Sequence, residues 1–303
     1  MATVKNWITA FRLRTLPLAF AGWLVGTVLV IGQGQVHVPI AALTLATAFL
    51  LQILSNLAND YGDAVSGVDS DKRDGPQRMV QSGAISKKAM GGAVIVFSLF
   101  SLICGVLLLA LAFPDDFFTA LIFLTIGLLA IAAAIKYTVG KNPYGYVGFG
   151  DLFVFVFFGL VLVFGTYFLQ VQSIDWEVLL PAATVGCFSI GVLNVNNIRD
   201  IESDKASGKQ SIPVRLGREK AVIYHVLLLF GGVLCALIFV LLDFRNAWQL
   251  LFIMVLIPLV INIKAVKYVP VSNLDPYLKQ MAISTLLFAL LFSIGHYLSW
   301  FFS

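Results

Sequence analysis

The segment Asn56-Leu57-Ala58-Asn59-Asp60-Tyr61-Gly62-Asp63 directly follows a long apolar run, and this order predicts a membrane helix with a polar end. With about 3.6 residues per turn, Asn56, Asp60 and Asp63 project from one face of that helix, and Asn59 lies beside them. Single Asn or Asp residues at helix ends are usually caps. Several carboxylates at a C-terminal end are costly, because the helix dipole and the membrane both disfavour anions there. The segment therefore predicts a bound cation or another strong partner.

A second polar cluster follows much later in the chain. It consists of Asn196, Asp200 and Asp204, which are spaced by one helical turn and therefore share a helix face. Neither cluster contains His or Cys, and hard oxygen ligands suit Mg²⁺ rather than zinc or copper. Mg²⁺ bound by few carboxylates usually completes its shell with phosphate oxygens and water. The two clusters together predict metal ions held between them and a phosphorylated substrate.

The composition is that of a membrane protein. Of the 303 residues, 59% are hydrophobic and 12% are charged, and the mean hydropathy is +0.93. Arg12 and Arg14 precede the first apolar run, but no convincing cleavage site follows, so we interpret this run as a span and not as a signal peptide. The three cysteines lie inside apolar runs without CxxC spacing and indicate neither disulfides nor zinc. Hydropathy predicts about nine spans, at 16–33, 39–58, 89–113, 117–135, 147–169, 178–195, 220–242, 248–266 and 280–300.

The basic residues are distributed unevenly between the two sides of these spans. All of the 20 Lys and Arg residues except Arg245 fall on the side of the N-terminus. The positive-inside rule then places the N-terminus and both acidic clusters in the cytoplasm and the C-terminus outside. The net charge of +4 therefore reflects membrane topology, and no nucleic acid partner is predicted. We expect a multi-pass protein of the cell inner (cytoplasmic) membrane with its site facing the cytoplasm.

The chain is predicted to form a single membrane domain over residues 1–303, because no linker separates soluble regions. Its two longest cytoplasmic loops each begin with an acidic cluster at the end of an even-numbered span, the second and the sixth. The two halves, roughly 1–135 and 136–303, therefore look like diverged copies of one unit.

Cations and aromatic residues accompany the acidic clusters. Arg78, Arg199 and Lys209 are the strongest candidates for binding phosphate oxygens, although positive-inside charge alone explains many single basic residues. Lys136 is a further candidate, and Tyr137 beside it is either a phosphate donor or an interfacial aromatic residue. The run 149–159 begins with a lone carboxylate, Asp151, and is rich in Phe. An aromatic cavity there would hold an isoprenoid tail and stabilise a carbocation by cation–π attraction.

The motifs resemble those of the UbiA superfamily of intramembrane prenyltransferases. The similarity rests on Asn59-Asp60-Tyr61-Gly62-Asp63 with Gly67-Val68-Asp69, on Asn196-Asn197-Ile198-Arg199-Asp200 with Asp204 and Gly208-Lys209, and on Gly75-Pro76-Gln77-Arg78. Gly67 stands where other branches carry a third carboxylate, and Asp69 follows it. The branch that prenylates 1,4-dihydroxy-2-naphthoate in menaquinone synthesis looks like this too.

The resemblance implies an all-α bundle of about nine transmembrane helices around a central cavity, and an enzyme that transfers a polyprenyl group. The implied partners are polyprenyl diphosphate, 1,4-dihydroxy-2-naphthoate and membrane lipid, and carbon dioxide and diphosphate are lost as demethylmenaquinone forms. Two Mg²⁺ ions are expected to bridge the diphosphate. The expected metal ligands are Asn59, Asp63, Asp69, Asn196, Asp200 and Asp204.

The remaining roles are assigned as hypotheses. The diphosphate is expected to contact Asn56, Asn59, Arg78, Lys136, Tyr137, Asn196, Arg199 and Lys209. Asp63 and Asp200 also act in catalysis by this scheme, and Asp60 or Asp151 orients the aromatic acceptor or accepts a proton. Two alternatives remain open: a sister enzyme using 4-hydroxybenzoate, haem or a chlorophyll precursor, and a transporter of divalent cations or an anion. The absence of a charge near the middle of any predicted span weighs against a transporter. The oligomeric state is not predicted.

Overall fold

The computed structural model describes residues 2–66 and 78–303. Within these ranges the chain is helical and has no β-strand. Nine of the described helices are long and apolar enough to cross a membrane, which confirms the predicted class and number of spans. They are Val4–Val28, Val38–Ser66, Lys87–Ala112, Phe117–Lys136, Gly150–Val171, Trp176–Arg199, Ile212–Leu242, Ala247–Tyr268 and Asp275–Phe301.

The first span begins earlier than the predicted range 16–33 because it is built from two helices. These are α1 (Val4–Phe11) and α2 (Leu16–Val28), which are separated at Arg12 by a left-handed backbone with φ of 49°. Hydropathy alone missed α1 because its charged and polar residues lower the average.

The second span, α3 (Val38–Ser66), is longer than a membrane requires. Its 29 residues extend over about 43 Å, whereas the hydrocarbon core is about 30 Å thick. The last turns of α3 therefore project beyond the apolar layer. These turns carry the first polar cluster. The helix packs on α4 (Lys87–Ala112) through a buried group that includes Leu54, Leu57 and Met90.

The sixth span contains α8 (Leu179–Arg199) and lies at the centre of the bundle. Of the residues in the most apolar part of this span, 72% are buried. In the corresponding part of α5 (Phe117–Lys136) only 6% are buried, so α5 lies at the periphery. Phe188 of α8 meets Phe288 of α12 (Asp275–Phe301) edge to face, with ring centroids 5.3 Å apart. The short helix α9 (Ile201–Ala206) continues from α8 after Asp200. The central helix therefore ends in the second polar cluster.

The fifth span is not a regular α-helix. A π-helical stretch, Phe155–Phe164, separates α6 (Gly150–Val154) from α7 (Gly165–Val171). Such segments are rare and occur mainly at functional sites. Gly159 allows this stretch to approach α8, because a Cβ atom there would lie 2.7 Å from the carbonyl oxygen of Ala182.

The second half also departs from the predicted boundaries at the seventh span. Here α10 (Ile212–Leu242) begins before the predicted residue 220, but its backbone breaks at Gly217, where φ is 75° and ψ is 162°. Only glycine adopts this positive φ without strain. The predicted start of the seventh span, residue 220, lies just after the break at Gly217. The eighth and ninth spans contain α11 (Leu256–Tyr268) and α12, and complete the bundle.

Candidate active site

A cavity of about 400 Å³ opens between the helices and is polar at one end and apolar along the rest of its length. Both predicted polar clusters contribute to the polar end, so the tertiary structure brings together side chains from the two halves. The predicted site residues that line this cavity are Asn56, Asn59, Asp63, Arg78, Tyr137, Asn196, Asp200, Asp204 and Lys209.

Asn56 connects the first cluster to the N-terminal segment. Its side-chain amide donates hydrogen bonds to the carbonyl oxygen of Phe11 at 2.9 Å and to the hydroxyl of Thr15 at 3.0 Å. These bonds hold the junction between α1 and α2 against α3. Arg12 and Arg14 from the same junction also line the cavity.

Asp63 is the carboxylate of the first cluster that both lies buried and lines the cavity. It forms an ion pair with Arg78 and accepts a hydrogen bond from the hydroxyl of Tyr146. Burial lowers the pKa of the Arg78 guanidinium, and nearby carboxylates oppose that shift. Tyr146 also accepts a hydrogen bond from the backbone N–H of Gln210 at 2.7 Å through its carbonyl oxygen. The loop containing Tyr146 therefore connects the first cluster to the chain just after the second.

Asp60 lies outside the cavity lining. Its carboxylate accepts backbone N–H groups of Met79 at 3.1 Å and Val80 at 3.4 Å, and the residue is 2% exposed. Asp60 thus fixes the chain where it returns to the bundle before α4. A role toward the aromatic acceptor stays a prediction, and this geometry favours a structural role instead.

Arg199 organises the second cluster from behind the cavity wall. Its guanidinium binds both carboxylate oxygens of Asp200, at 2.8 and 3.0 Å, and donates to Asn196 at 2.9 Å. A further bond of 2.7 Å reaches Asp275 at the start of α12. Arg199 is only 1% exposed. Because bidentate pairing fixes both partners, Arg199 orients the oxygen atoms of Asp200 and Asn196.

The third carboxylate of the cavity is Asp204. Lys209 approaches it at 3.1 Å, and the hydroxyl of Ser211 lies 3.5 Å away. Each of the three carboxylates that line the cavity within residues 2–66 and 78–303 therefore has a cationic neighbour. Since an uncompensated buried charge is costly, this pairing compensates the charge of the acids at the edge of an apolar bundle.

Two more predicted residues lie away from the cavity. Lys136 is exposed at the end of α5. Asp151 is buried and accepts a hydrogen bond of 2.8 Å from the hydroxyl of Tyr224 on α10. A helix face does not reveal which neighbour a side chain will meet, so sequence alone did not separate these residues from the cavity ligands. Asp69 falls outside the described residues.

Tyr137 lines the cavity at the end of α5 and meets Tyr144 edge to face at 5.3 Å. Burial raises the pKa of Tyr137 above its ordinary value, and the negative charge of Asp151 adds to this effect. The phenol therefore stays protonated at neutral pH. It is available as a hydrogen-bond donor toward an anion in the cavity.

The oxygen donors suit Mg²⁺ by type. Asn59, Asp63, Asn196, Asp200 and Asp204 offer amide and carboxylate oxygens to one cavity. Among residues 2–66 and 78–303, no group of three or more His, Cys, Asp or Glu residues is arranged to hold an ion by itself. Mg²⁺ commonly uses one or two carboxylates together with substrate phosphates. The donor set therefore fits an ion that is shared with a phosphorylated ligand.

The apolar part of the cavity is lined largely by the fifth span and α5. The Phe-rich run supplies Phe153, Phe157 and Phe158, while Phe123 of α5 lies near the far end. Phe123 stacks on Phe168 with ring centroids 5.4 Å apart and planes inclined by 16°. The predicted aromatic lining is thus present for part of the run.

Several residues of the site were not assigned to it from sequence. Arg14 was counted only as positive-inside charge, yet it lines the cavity and pairs with Asp275 at 3.1 Å. Asp275 precedes a proline at the start of α12 and carried no signal beyond that of an ordinary helix start. Tyr146 lies in a loop, where tyrosine has no distinctive pattern.

Comparisons with known proteins identify the family and the fold of the chain. The family model described as "UbiA prenyltransferase family" matches residues 16–291. The chain is 44% identical over 306 aligned positions to a protein of Escherichia coli (strain K12) named 1,4-dihydroxy-2-naphthoate octaprenyltransferase, covering 99% of this chain and 97% of that one. A protein of the same name from Haemophilus influenzae is 42% identical, with 96% of each chain covered. A solved structure titled "Apo structure of a UbiA homolog from Aeropyrum pernix K1" superposes with a TM-score of 0.68 at 17% identity, covering 96% of this chain and 98% of that one.

Proposed function

Because this chain belongs to the UbiA prenyltransferase family, we propose that it transfers a polyprenyl group from polyprenyl diphosphate to 1,4-dihydroxy-2-naphthoate. The acceptor loses its carboxyl group as CO2, and diphosphate leaves. The product is demethylmenaquinone in its reduced, quinol form, since no oxidant takes part. The names of the similar proteins support this acceptor and suggest an octaprenyl donor.

One observation supports the proposal above the others. A single cavity joins a polar end, with carboxylates, amides and cations from both halves, to an apolar length lined by aromatic rings. A polyprenyl diphosphate has this division, with an anionic head and a hydrocarbon tail. A transporter of small ions would not need the apolar length.

The chain's own residues bind the diphosphate and orient the donor. Arg78 and Lys209 lie at the polar end, and Arg12 and Arg14 add further positive charge from the N-terminal junction. These cations stabilise the negative charge that grows on the diphosphate as the allylic C–O bond breaks. The protonated phenol of Tyr137 donates a hydrogen bond to the same anion.

Mg²⁺ is a further part of the proposal. The residues that would hold it are Asn59, Asp63, Asn196, Asp200 and Asp204, together with Asp69. When bound, the metal neutralises charge on the departing diphosphate. Arg199 keeps Asp200 and Asn196 oriented for this role through its bidentate pairing.

The aromatic residues act on the carbon end of the donor. Phe153 and Phe157 line the cavity, and Phe153 also stacks on Tyr144 with centroids 3.9 Å apart. Ring faces attract a developing allylic cation, and the dry wall protects it from water. The ring carbon of the acceptor that carries the carboxylate then forms the new C–C bond to the allylic carbon, which breaks the aromaticity of the ring. Loss of CO2 leaves its bonding electrons on the ring and restores aromaticity.

The location follows the distribution of charge. The nine membrane-length helices found among the described residues, together with the family, indicate a multi-pass membrane protein. We infer from the basic residues on one side that this protein resides in the inner, cytoplasmic membrane and that the polar end of the cavity faces the cytoplasm.

The test is a reaction with purified full-length protein in lipid nanodiscs, with octaprenyl diphosphate, 1,4-dihydroxy-2-naphthoate and Mg²⁺. Mass spectrometry is expected to detect octaprenylated, decarboxylated naphthoquinol, and 4-hydroxybenzoate is expected not to compete. Preferential prenylation of 4-hydroxybenzoate would assign a sister enzyme. Ion flux into liposomes without any prenylated product would instead indicate a transporter.

A further inference from the structure

Three glycines line the apolar part of the cavity, and two of them have open space where a side chain would begin; the third, Gly165, has the ring of Phe123 at 3.9 Å from its Cβ position. Gly105 of α4 and Gly127 of α5 both line it, and a Cβ atom built on either residue would meet no heavy atom within 4 Å. Most glycines in packed helices permit a close approach, as Gly159 does. These two instead leave space open, so helix packing does not explain them.

The neighbours of the two glycines show that this space belongs to the apolar part of the cavity. On α5, Leu124 and Ala130 line the cavity before and after Gly127, and on α4, Leu102 and Leu108 flank Gly105 in the same way. Glycine inside a regular α-helix is less favourable for helix stability than alanine. Two such residues facing one cavity therefore lower the stability of their helices, and in return they make the cavity wider.

The position of Gly127 relative to the polar end sets which part of a donor would reach it. Ten residues of helix separate Gly127 from Tyr137, and at the rise of an α-helix they extend over about 15 Å. A peptide residue has three chain bonds and spans at most about 3.5 Å, so an isoprene unit with four chain bonds spans roughly 4–5 Å. The third or fourth isoprene unit of a donor would lie beside Gly127.

We propose that Gly105 and Gly127 form a groove without side chains that carries the donor's hydrocarbon chain beyond its second isoprene unit, and that this groove determines which donor lengths the enzyme accepts. This inference rests on the proposed function, because it assumes that a prenyl diphosphate occupies the cavity. The reacting end of the donor lies outside the groove. Filling the groove should therefore discriminate against long donors without altering the chemistry.

The experiment compares Gly127→Leu and Gly105→Leu with wild type on two donors, geranyl diphosphate with two isoprene units and octaprenyl diphosphate with eight. We expect kcat/KM for the long donor to fall about tenfold or more, because leucine occupies the path of the chain. For geranyl diphosphate we expect a change of less than about threefold, since this chain ends before the groove. For octaprenyl diphosphate, the kcat/KM of Gly127→Ala should lie between those of wild type and Gly127→Leu.

The matched control is Gly92→Leu, on the same helix as Gly105. Gly92 is exposed, is not part of the cavity lining, and also has open space at its Cβ position. Leucine raises helix propensity at all three sites, so thermal unfolding should show folded variants. We expect Gly92→Leu to have the same kcat/KM as wild type for both donors.

Binding of both donors in the absence of acceptor separates the two hypotheses. If wild type binds both donors but transfers neither, the proposed function fails, and the relative loss of octaprenyl binding in the variants still tests the groove. The inference is overturned if the leucine substitutions lower kcat/KM and binding affinity equally for the two donors, or leave both quantities unchanged for both donors. In either case the groove does not determine donor length.

Discussion

Arg199 and Asp275 are joined by a hydrogen bond of 2.7 Å although 76 residues separate them in the sequence. The same guanidinium binds Asp200 of the second cluster, and the same carboxylate also pairs with Arg14. Asp275 therefore lies between two arginines, one from the N-terminal junction and one from α8. Through them, the start of the last helix orients the polar end of the cavity.

Replacing Asp275 with Asn should impair catalysis without unfolding the protein. The amide retains the shape of the side chain but loses its charge, so Arg199 and Arg14 are held less firmly. We expect kcat/KM to fall about tenfold, because this is the rate change that corresponds to the free energy of one charge-assisted hydrogen bond. We also expect KM for the donor to rise. Steady-state kinetics measures this effect. Asp243→Asn is the control, because Asp243 pairs with Arg245 away from this cavity. Equal kinetics for both variants would show that Asp275 does not position the site.

Asp60 and Asp63 should respond differently to the same substitution. Asp63→Asn removes a carboxylate that lines the cavity, and we expect kcat/KM to fall by about 100-fold or more. Asp60→Asn alters an acceptor of two backbone N–H groups, and we expect a loss of about 1 kcal/mol in unfolding free energy. Initial rates and thermal unfolding, measured on both variants, separate the two effects. A catalytic loss at Asp60 without destabilisation would restore its predicted role toward the acceptor.

Removal of divalent metal should abolish prenyl transfer. EDTA is expected to stop product formation, and Mg²⁺ is expected to restore it, because the cavity offers hard oxygen donors. Asp204→Asn should raise the Mg²⁺ concentration needed for half-maximal activity. Glu202→Gln is the matched control, since Glu202 is exposed on the same short helix and does not line the cavity. Full activity in EDTA would remove Mg²⁺ from the proposed mechanism.

Tyr137 should contribute to stability in a pH-dependent way. Burial raises the pKa of Tyr137 above the ordinary value of 10.0. Above pH 10 the unfolded chain therefore releases a proton that the folded chain retains, and stability falls as pH rises. Below pH 10 both states are protonated, and this contribution is fully present. The loss of stability above pH 10 should be shallower in Tyr137→Phe, as measured by chemical unfolding in detergent micelles. Tyr268→Phe, at an exposed position, should follow wild type.

Sequence patterns predicted the parts of this protein that depend on neighbouring residues. The nine spans follow from hydropathy, because the free energy of transferring a segment into lipid is approximately a sum over its individual residues. The predicted placement of Asn56, Asp60 and Asp63 on one face, with Asn59 beside them, follows from the pitch of one helix, α3. The prediction that Asn196, Asp200 and Asp204 share a face of one helix is wrong, because α8 ends at Arg199 and α9 begins at Ile201. The main error was at the first span, where the left-handed residue Arg12 divides the helix.

The contacts between distant segments depended on the tertiary structure. Asp60 and Asp63 belong to the same helix end, yet Asp63 meets Arg78 while Asp60 binds the backbone at Met79 and Val80. Likewise, no local pattern distinguishes Asp151, which is bonded to Tyr224, from a cavity ligand.

By itself the sequence determined the number of spans and the chemistry of the two clusters, because hydropathy and helical pitch are local properties of the chain. Only the tertiary structure decided which carboxylates face the cavity, which arginine holds Asp200, and where Asp275 contributes. Those relationships arise from packing between helices that are remote in sequence, and the free energies that select them belong to no single segment.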